Sequence, residues 1–252
     1  MQRLSYYAKH PEDKTYHKKA LYMSVMIGFI NTVLSMIAGD FSAKFLHNVQ
    51  PEKLAAYEWY YDTQSHANLV FFGVLNEKTH EVSGAIEIPG LLSFLADNSF
   101  TTKVKGLNEF PKNDLPPMIV HYFFDLMVSM DVFCFIISGV YMLFLLIKKL
   151  RKYLTHKVIL YAILLTGPAS MIAIEFGWFL TEMCRQPWII RGYMRVSQAA
   201  TQAGGITLVT IMFGILYLVL LVTSAYVLIR MYKNKPAYQD VDKVIEKRGG
   251  TK

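Results

Sequence analysis

Residues 158–180 read VILYAILLTGPASMIAIEFGWFL, 23 residues with Glu175 as their one charged side chain, and residues 181–188 close them with Thr-Glu-Met-Cys-Arg-Gln-Pro-Trp. At 1.5 Å per residue, a helix of this length spans the roughly 30 Å of a bilayer's hydrocarbon layer. Lipid offers no water to satisfy peptide groups, so the segment has to be helical. Three other stretches share its character, at 20–39, 118–147 and 204–229. The fold class that follows is an all-α membrane protein with four transmembrane helices and one large loop. The composition agrees, with 53% hydrophobic residues and a mean hydropathy of +0.28, high for a water-soluble domain.

Charge sets the orientation. The net charge of +7 suggests nucleic acid at first sight, but the cations are distributed by side. Segments 1–19, 148–157 and 230–252 carry 17 Lys or Arg in 52 residues, against 9 in 101 for segments 40–117 and 181–203. That bias places both termini in the cytoplasm, and the runs at 148–152 and 243–252 read as topological anchors, with no nucleic acid partner. The expected order is a cytoplasmic lead-in (1–19), a span (20–39), an extracytoplasmic loop (40–117), a span (118–147), a cytoplasmic loop (148–157), a span (158–180), an extracytoplasmic loop (181–203), a span (204–229) and a polar, mobile cytoplasmic tail (230–252). The first apolar block follows 19 mostly polar residues and is longer than a signal-peptide core, so it reads as a retained helix. Cys134 and Cys184 form neither a disulfide framework nor a metal-ligand spacing.

The loop 40–117 is too long for a plain connector. Tyr57, Trp59, Tyr60, Tyr61, Phe71 and Phe72 are interleaved with its charges, which predicts an ordered structure. Pro51 to Glu58 reads as a short helix with proline in its first turn, and Ile86-Glu87-Ile88 as an extended piece. Pro116-Pro117 starts the second span, and Gly167-Pro168 should kink the third.

Several side chains are costly in lipid unless they face a cavity, a metal or a counter-charge. Glu175, Trp178 and Glu182 share one helical stripe. Without further context, Glu182 would be an interfacial acid paired with Arg185, and Trp178 part of an aromatic belt. The second span carries His121, Asp125, Met127, Met130 and Asp131 among apolar residues, which implies a polar interior. A methionine in such a place is ordinarily packing. Lys53 and Glu58 would ordinarily be a solvated loop pair. Five residues apart, they do not share a helical face.

The run Gly177-Trp178 to Glu182, then Arg185-Gln186-Pro187-Trp188, resembles the GWxxxExGRQPW signature of subunit I of cytochrome bd-type quinol oxidases, with Cys184 in place of glycine. The resemblance implies that Glu182 is an axial ligand to one of two high-spin hemes and that Trp178 lies beside the hemes. Arg185 is then suited to pair with heme propionates. The stretch around Met127 resembles the family segment whose methionine ligates a low-spin heme b, with His121 and Met130 as alternative ligands. A thioether opposite a histidine raises a heme's potential, which suits an acceptor of quinol electrons. Asp125 stands where some relatives have arginine. Residues 49–58 resemble the family's quinol-binding loop, in which Lys53 and Glu58 would act in substrate oxidation, a carboxylate as base and an ammonium polarising the ring oxygen.

The resemblance runs from about Asp40 to beyond Trp188. The family subunit has about nine spans, with its histidine ligands in the first half, so this chain resembles the C-terminal half. The implied cofactors are low-spin and high-spin heme b with heme d or a further heme b, and the substrates are quinol and oxygen. The implied partners are an N-terminal half, subunit II, small subunits and lipid. The implied setting is the plasma membrane of a prokaryote, where electrogenic quinol oxidation reduces oxygen to water. Activity is not expected of the chain alone. Rival readings are a heme-free scaffold or non-catalytic fragment, and a small transporter with intramembrane acids, although no repeat or paired broken helices support the latter. The topology is directly checkable: alkaline phosphatase fused after residue 200 should be active, and fused at residue 155 inactive. The reverse pattern would invert the assignment.

Overall fold

The computed structural model describes residues 11–234 apart from 77 and 202, with side chains from 17 to 231. The expectations for the first ten residues and most of the polar tail lie outside these described residues. Four helices are long and apolar enough to cross a membrane, at His17–Val49, Val120–Leu146, Lys157–Cys184 and Ile206–Met231. They belong to α1 (Pro11–Val49), α4 (Val120–Leu146), α5 (Lys157–Cys184) and α7 (Ile206–Asn234). Helix α1 is longer at both ends than its apolar block. It begins within the polar lead-in and continues past Asp40, whose carboxylate pairs with Lys44 one turn on, a spacing that favours helix. Helix α5 is continuous through Pro168, which can give no N–H to the carbonyl of Leu164.

Between α1 and α4 the chain folds into a lobe with its own core. Helix α2 (Pro51–Tyr57) begins with proline at its first turn, as the sequence predicts. It is followed by β1 (Leu69–Phe71), β2 (Val74–Asn76), β3 (Glu81–Ser83), β4 (Ile86–Ile88) and α3 (Leu91–Asp97). Strand β1 pairs antiparallel with β4, and β2 with β3, so the four strands form one long hairpin interrupted at residues 72–73 and 84–85. Gly73 makes that break possible. Its φ is +104°, and a Cβ there would lie 2.9 Å from a methyl of Val82. Two 3₁₀ turns, Leu107–Glu109 and Lys112–Asp114, lead into α4.

Most of the buried apolar residues lie in this lobe, among them Leu54, Ala55, Leu92, Val104 and Leu107. The ends of two membrane helices complete the cluster, through Val120 of α4 and Leu180 and Cys184 of α5. The spans themselves bury little: 6%, 17%, 6% and 0% of their most apolar windows. Their apolar surface is matched to lipid or to other helices.

Residues 18–199 form one compact unit. Within it α4 and α5 pack side by side, with Phe123 against Phe176 and Phe179 and the Cys134 thiol directed at the Thr166 carbonyl. Helix α1 meets α4 through stacked Phe29 and Phe135, with Ser35 near Asp131. After α5 come a small hairpin, β5 (Trp188–Ile190) and β6 (Met194–Arg195), and the single turn α6 (Val196–Ala199). Helix α7 belongs to the second unit, and all its described side chains are exposed.

The tightest backbone approach in the lobe is at Gly106, where a Cβ would fall 2.2 Å from the Tyr61 carbonyl oxygen. Gly28 of α1 has nothing within 4 Å of the same position. Gly106→Ala should therefore destabilise the lobe by about 3 kcal/mol or more, the upper end for overpacking, because backbone cannot swing aside. Gly28→Ala should leave thermal melting of the purified protein unchanged or slightly raised.

Candidate functional site

Lys53 lies within α2 and Glu58 just past its end, and the two serve different surroundings. Lys53 lines a cavity of about 250 Å³ together with Glu52, Thr181, Arg185, Trp188 and Arg191. Among the described residues Lys53 has no ion-pair partner, whereas Arg191 pairs with Glu52 at 2.8 Å and Arg185 with Glu182 at 2.6 Å. Glu58 points the other way, into the lobe. It is 1% exposed, caps the end of α2 and accepts a 2.9 Å hydrogen bond from the Val70 amide. Burial pushes its carboxyl well above the usual carboxylate range. The Val70 amide opposes that shift, and the nearby Asp125 carboxylate adds to it. The two side chains thus leave the α2 region in different directions, in keeping with a spacing that shares no helical face.

The mouth of the cavity is built by the signature run and the hairpin that follows it. Arg191 also donates to the Val49 carbonyl at 2.6 Å, which ties the hairpin to the start of α2. Arg195 donates to Asp114 at 2.5 Å and to the Asn113 carbonyl at 3.0 Å. Its guanidinium lies 4.4 Å from the centre of the Trp188 ring. Both ends of the lobe are therefore clasped by two arginines that the sequence reading passed over. Their only signal was three arginines in a short segment, and their acidic partners lie 81 and 139 residues away. Cys184, the departure from the family glycine, is 2% exposed. It interacts with the Tyr57 hydroxyl, whose proton affinity is raised chiefly by burial and also by this thiol.

Beneath Glu58, at the top of α4, His121 and Asp125 are both fully buried. His121 Nε2 is 3.2 Å from Asp125 Oδ2. His121 Nδ1 is hydrogen-bonded to the Tyr57 carbonyl, and Nε2 also faces the Phe72 carbonyl at 3.4 Å. Asp125 Oδ2 accepts a 2.6 Å bond from the Phe72 amide. Trp59 stacks on the imidazole with ring centres 3.8 Å apart, and its indole N–H donates to the Met118 carbonyl at 2.8 Å. Both imidazole nitrogens thus face oxygen atoms of this chain. The histidine and aspartate were visible at i and i+4. Their partners, contributed by residues 49 to 64 positions away, were not.

Helix α5 turns two faces in different directions. Ala169, Leu180 and Cys184 are buried, while Glu175 and Trp178 are exposed and Glu182 is half-exposed. Among the described residues, Glu175 has no hydrogen-bond or ion-pair partner. Met127 of α4 is half-buried, with its sulfur over Gly177, where a Cβ would lie 3.1 Å from it. The missing side chain leaves the thioether room to shift. Met127 and Glu182 have the donor chemistry for heme iron. Glu182 is held only by a partly exposed ion pair, a kind typically worth up to about 1 kcal/mol and easily exchanged. These residues fit a heme in part. Among the described residues no cluster of three or more His, Cys, Asp or Glu is placed to hold a metal, so the remaining ligands and walls of such a site have to come from elsewhere.

A family model described as cytochrome bd terminal oxidase subunit I matches residues 3–236. A putative cytochrome bd menaquinol oxidase subunit I of Bacillus subtilis (strain 168) is 37% identical over 227 residues, covering 90% of this chain and 51% of that protein. A cytochrome bd ubiquinol oxidase subunit 1 of the same organism is 27% identical over 234 residues, 86% of this chain and 49% of the relative. Among solved structures, the bd oxidase from Geobacillus thermodenitrificans matches with a TM-score of 0.80 and 42% identity, over 92% of this chain and 53% of that one. The chain spans about half the length of the relatives it matches.

The buried carboxyl gives a pH signature. Because its folded-state pKa is raised, the folded protein binds more protons than the unfolded chain above the ordinary value of 4.5. Stability should therefore fall as pH rises through that window, until the raised value is passed. Glu58→Gln keeps an acceptor for the Val70 amide and removes the titration. Its melting temperature should vary less with pH from about 4.5 upward. An unchanged profile would mean that Glu58 is not the group responsible.

Proposed function

The chain belongs to the cytochrome bd terminal oxidase subunit I family, and on that footing we propose that it forms the C-terminal half of the heme-bearing core of a quinol:oxygen oxidoreductase. The observation that carries this reading is the outward stripe of α5. Glu175, Trp178 and Glu182 turn away from the chain's own core, on a helix of membrane length. Acids on such a face are expensive against lipid, so the face is one that another polypeptide and its cofactors cover.

In this reading Met127 is the thioether ligand of a low-spin heme b. Glu182 would hold a high-spin heme iron, with Trp178 beside it, and Arg185 would pair with propionate carboxylates. Heme d or a further heme b completes the set. The hemes supply one-electron storage and oxygen binding when present. The chain's own residues hold, orient and exchange protons. Quinol gives up two protons with its two electrons, and Glu58 in its ionised form is the group to accept one, its burial raising its affinity for that proton. Lys53 is the uncommitted cation on the cavity side, suited to polarise a ring oxygen. The partners are an N-terminal half of subunit I, subunit II, small subunits and lipid, in the plasma membrane of a prokaryote with both termini cytoplasmic. Proton release outside and uptake from inside would make turnover electrogenic.

Co-expression with a candidate N-terminal half provides the test. Met127→Leu should remove the low-spin heme absorbance and Glu182→Gln a high-spin band, each with membrane insertion intact. Spectra without heme bands in the wild-type pair would favour a heme-free scaffold instead. Retention of the low-spin signal in Met127→Leu would move the ligand to His121 or Met130.

A further inference from the structure

Glu58 is fixed by its neighbours rather than by its own contacts alone. Its carboxylate makes one hydrogen bond, to Val70 N–H. The residue before it, Tyr57, has its carbonyl on His121 Nδ1. The residue after it, Trp59, lies flat on the His121 ring. The strand that carries Val70 is held two residues further on, where Phe72 donates to Asp125 at 2.6 Å. His121 and Asp125 are themselves joined at 3.2 Å, one turn apart on α4. Three contacts from the segments flanking Glu58 thus converge on this pair, beside the looser packing of Tyr57 on Phe124 and Cys184.

Two ionisable side chains are a costly means of fastening a loop. Both are fully buried, and Asp125 Oδ1 has no hydrogen-bond partner among the described residues. Apolar contacts would hold the lobe at less expense in desolvation. Directional bonds, unlike apolar contact, fix a neighbouring group to within a fraction of an ångström. We infer that His121 and Asp125 are positioning residues for quinol oxidation, setting the Glu58 carboxylate in register with the helix that carries Met127. This rests on the reading of Glu58 as the proton acceptor. His121 and Asp125 touch no substrate in it and act only through Glu58.

The test uses the assembled oxidase, made by co-expression, with a soluble quinol as substrate. Asp125→Asn keeps the shape and an acceptor for the Phe72 amide but loses the charge facing His121. It should lower kcat about tenfold to a hundredfold, the cost of a misplaced reacting group, with KM for quinol within about twofold of wild type. Heme spectra, and oxygen uptake driven by a small artificial reductant that bypasses quinol, should be unchanged. Amide hydrogen exchange in residues 69–72 should quicken. Adding Asp125→Asn to Glu58→Gln should cost nothing further, because the two act as one unit. Normal kcat in Asp125→Asn, unchanged exchange, or losses that multiply in the double variant would each overturn the inference. If Asp125→Asn fails to assemble, Trp59→Phe keeps the stacked ring and loses only the bond to Met118. It should show the same split between kcat and KM, and a normal kcat there also overturns it. Full activity in Glu58→Gln alone would instead refute the role of Glu58, and the inference with it.

Discussion

His121 and Asp125 form the joint on which the lobe's position depends. Both side chains lie out of water at the top of α4, and each bond they make reaches a different part of the lobe: the end of α2 through Tyr57, the long hairpin through Phe72. A carbonyl and an amide in the core need partners, since an unpaired one costs about 1–3 kcal/mol. The pair satisfies those groups and in doing so fixes where the hairpin and the short helix meet the membrane segment. Trp59 covers the imidazole, so solvent cannot compete for the bonds.

A second constraint acts at the other side of the lobe. Arg191 and Arg195, on the hairpin that follows the signature run, hold Glu52 and Asp114 near the two ends of the lobe's chain. These pairs are partly exposed, so each contributes modestly to stability. Their geometric consequence is larger than their energy. They bring the end of α5, with Glu182 and Arg185, up to the cavity that Lys53 lines. Lys53 and the Glu182–Arg185 pair are thus brought together through one small hairpin, while Glu58 is reached from the opposite side of α2.

The pattern of burial follows from which parts of the chain can meet lipid. The lobe buries its apolar residues because it lies between membrane segments and has no lipid to cover them. The spans leave theirs open because apolar side chains need no protein partner in a bilayer. An acid is different. Glu175 and Glu182 on the open face of α5 mark it as a surface meant for protein, cofactor or water rather than acyl chains.

By itself the sequence determined the four membrane-length helices, the ordered lobe with its proline-started helix, and the family, through Trp178, Glu182 and Arg185 at fixed spacing. Those features are local, set by hydropathy over a window or by residues within one or two helical turns. It also showed His121 and Asp125 as an i, i+4 pair without revealing their use. Only the tertiary structure decided that Glu58 is buried against the Val70 amide, that His121 is committed to the Tyr57 carbonyl and Asp125, and that two arginines clasp the lobe. Each of these rests on a bond between groups tens of residues apart, and no periodicity in the chain encodes which backbone carbonyl a buried side chain will find.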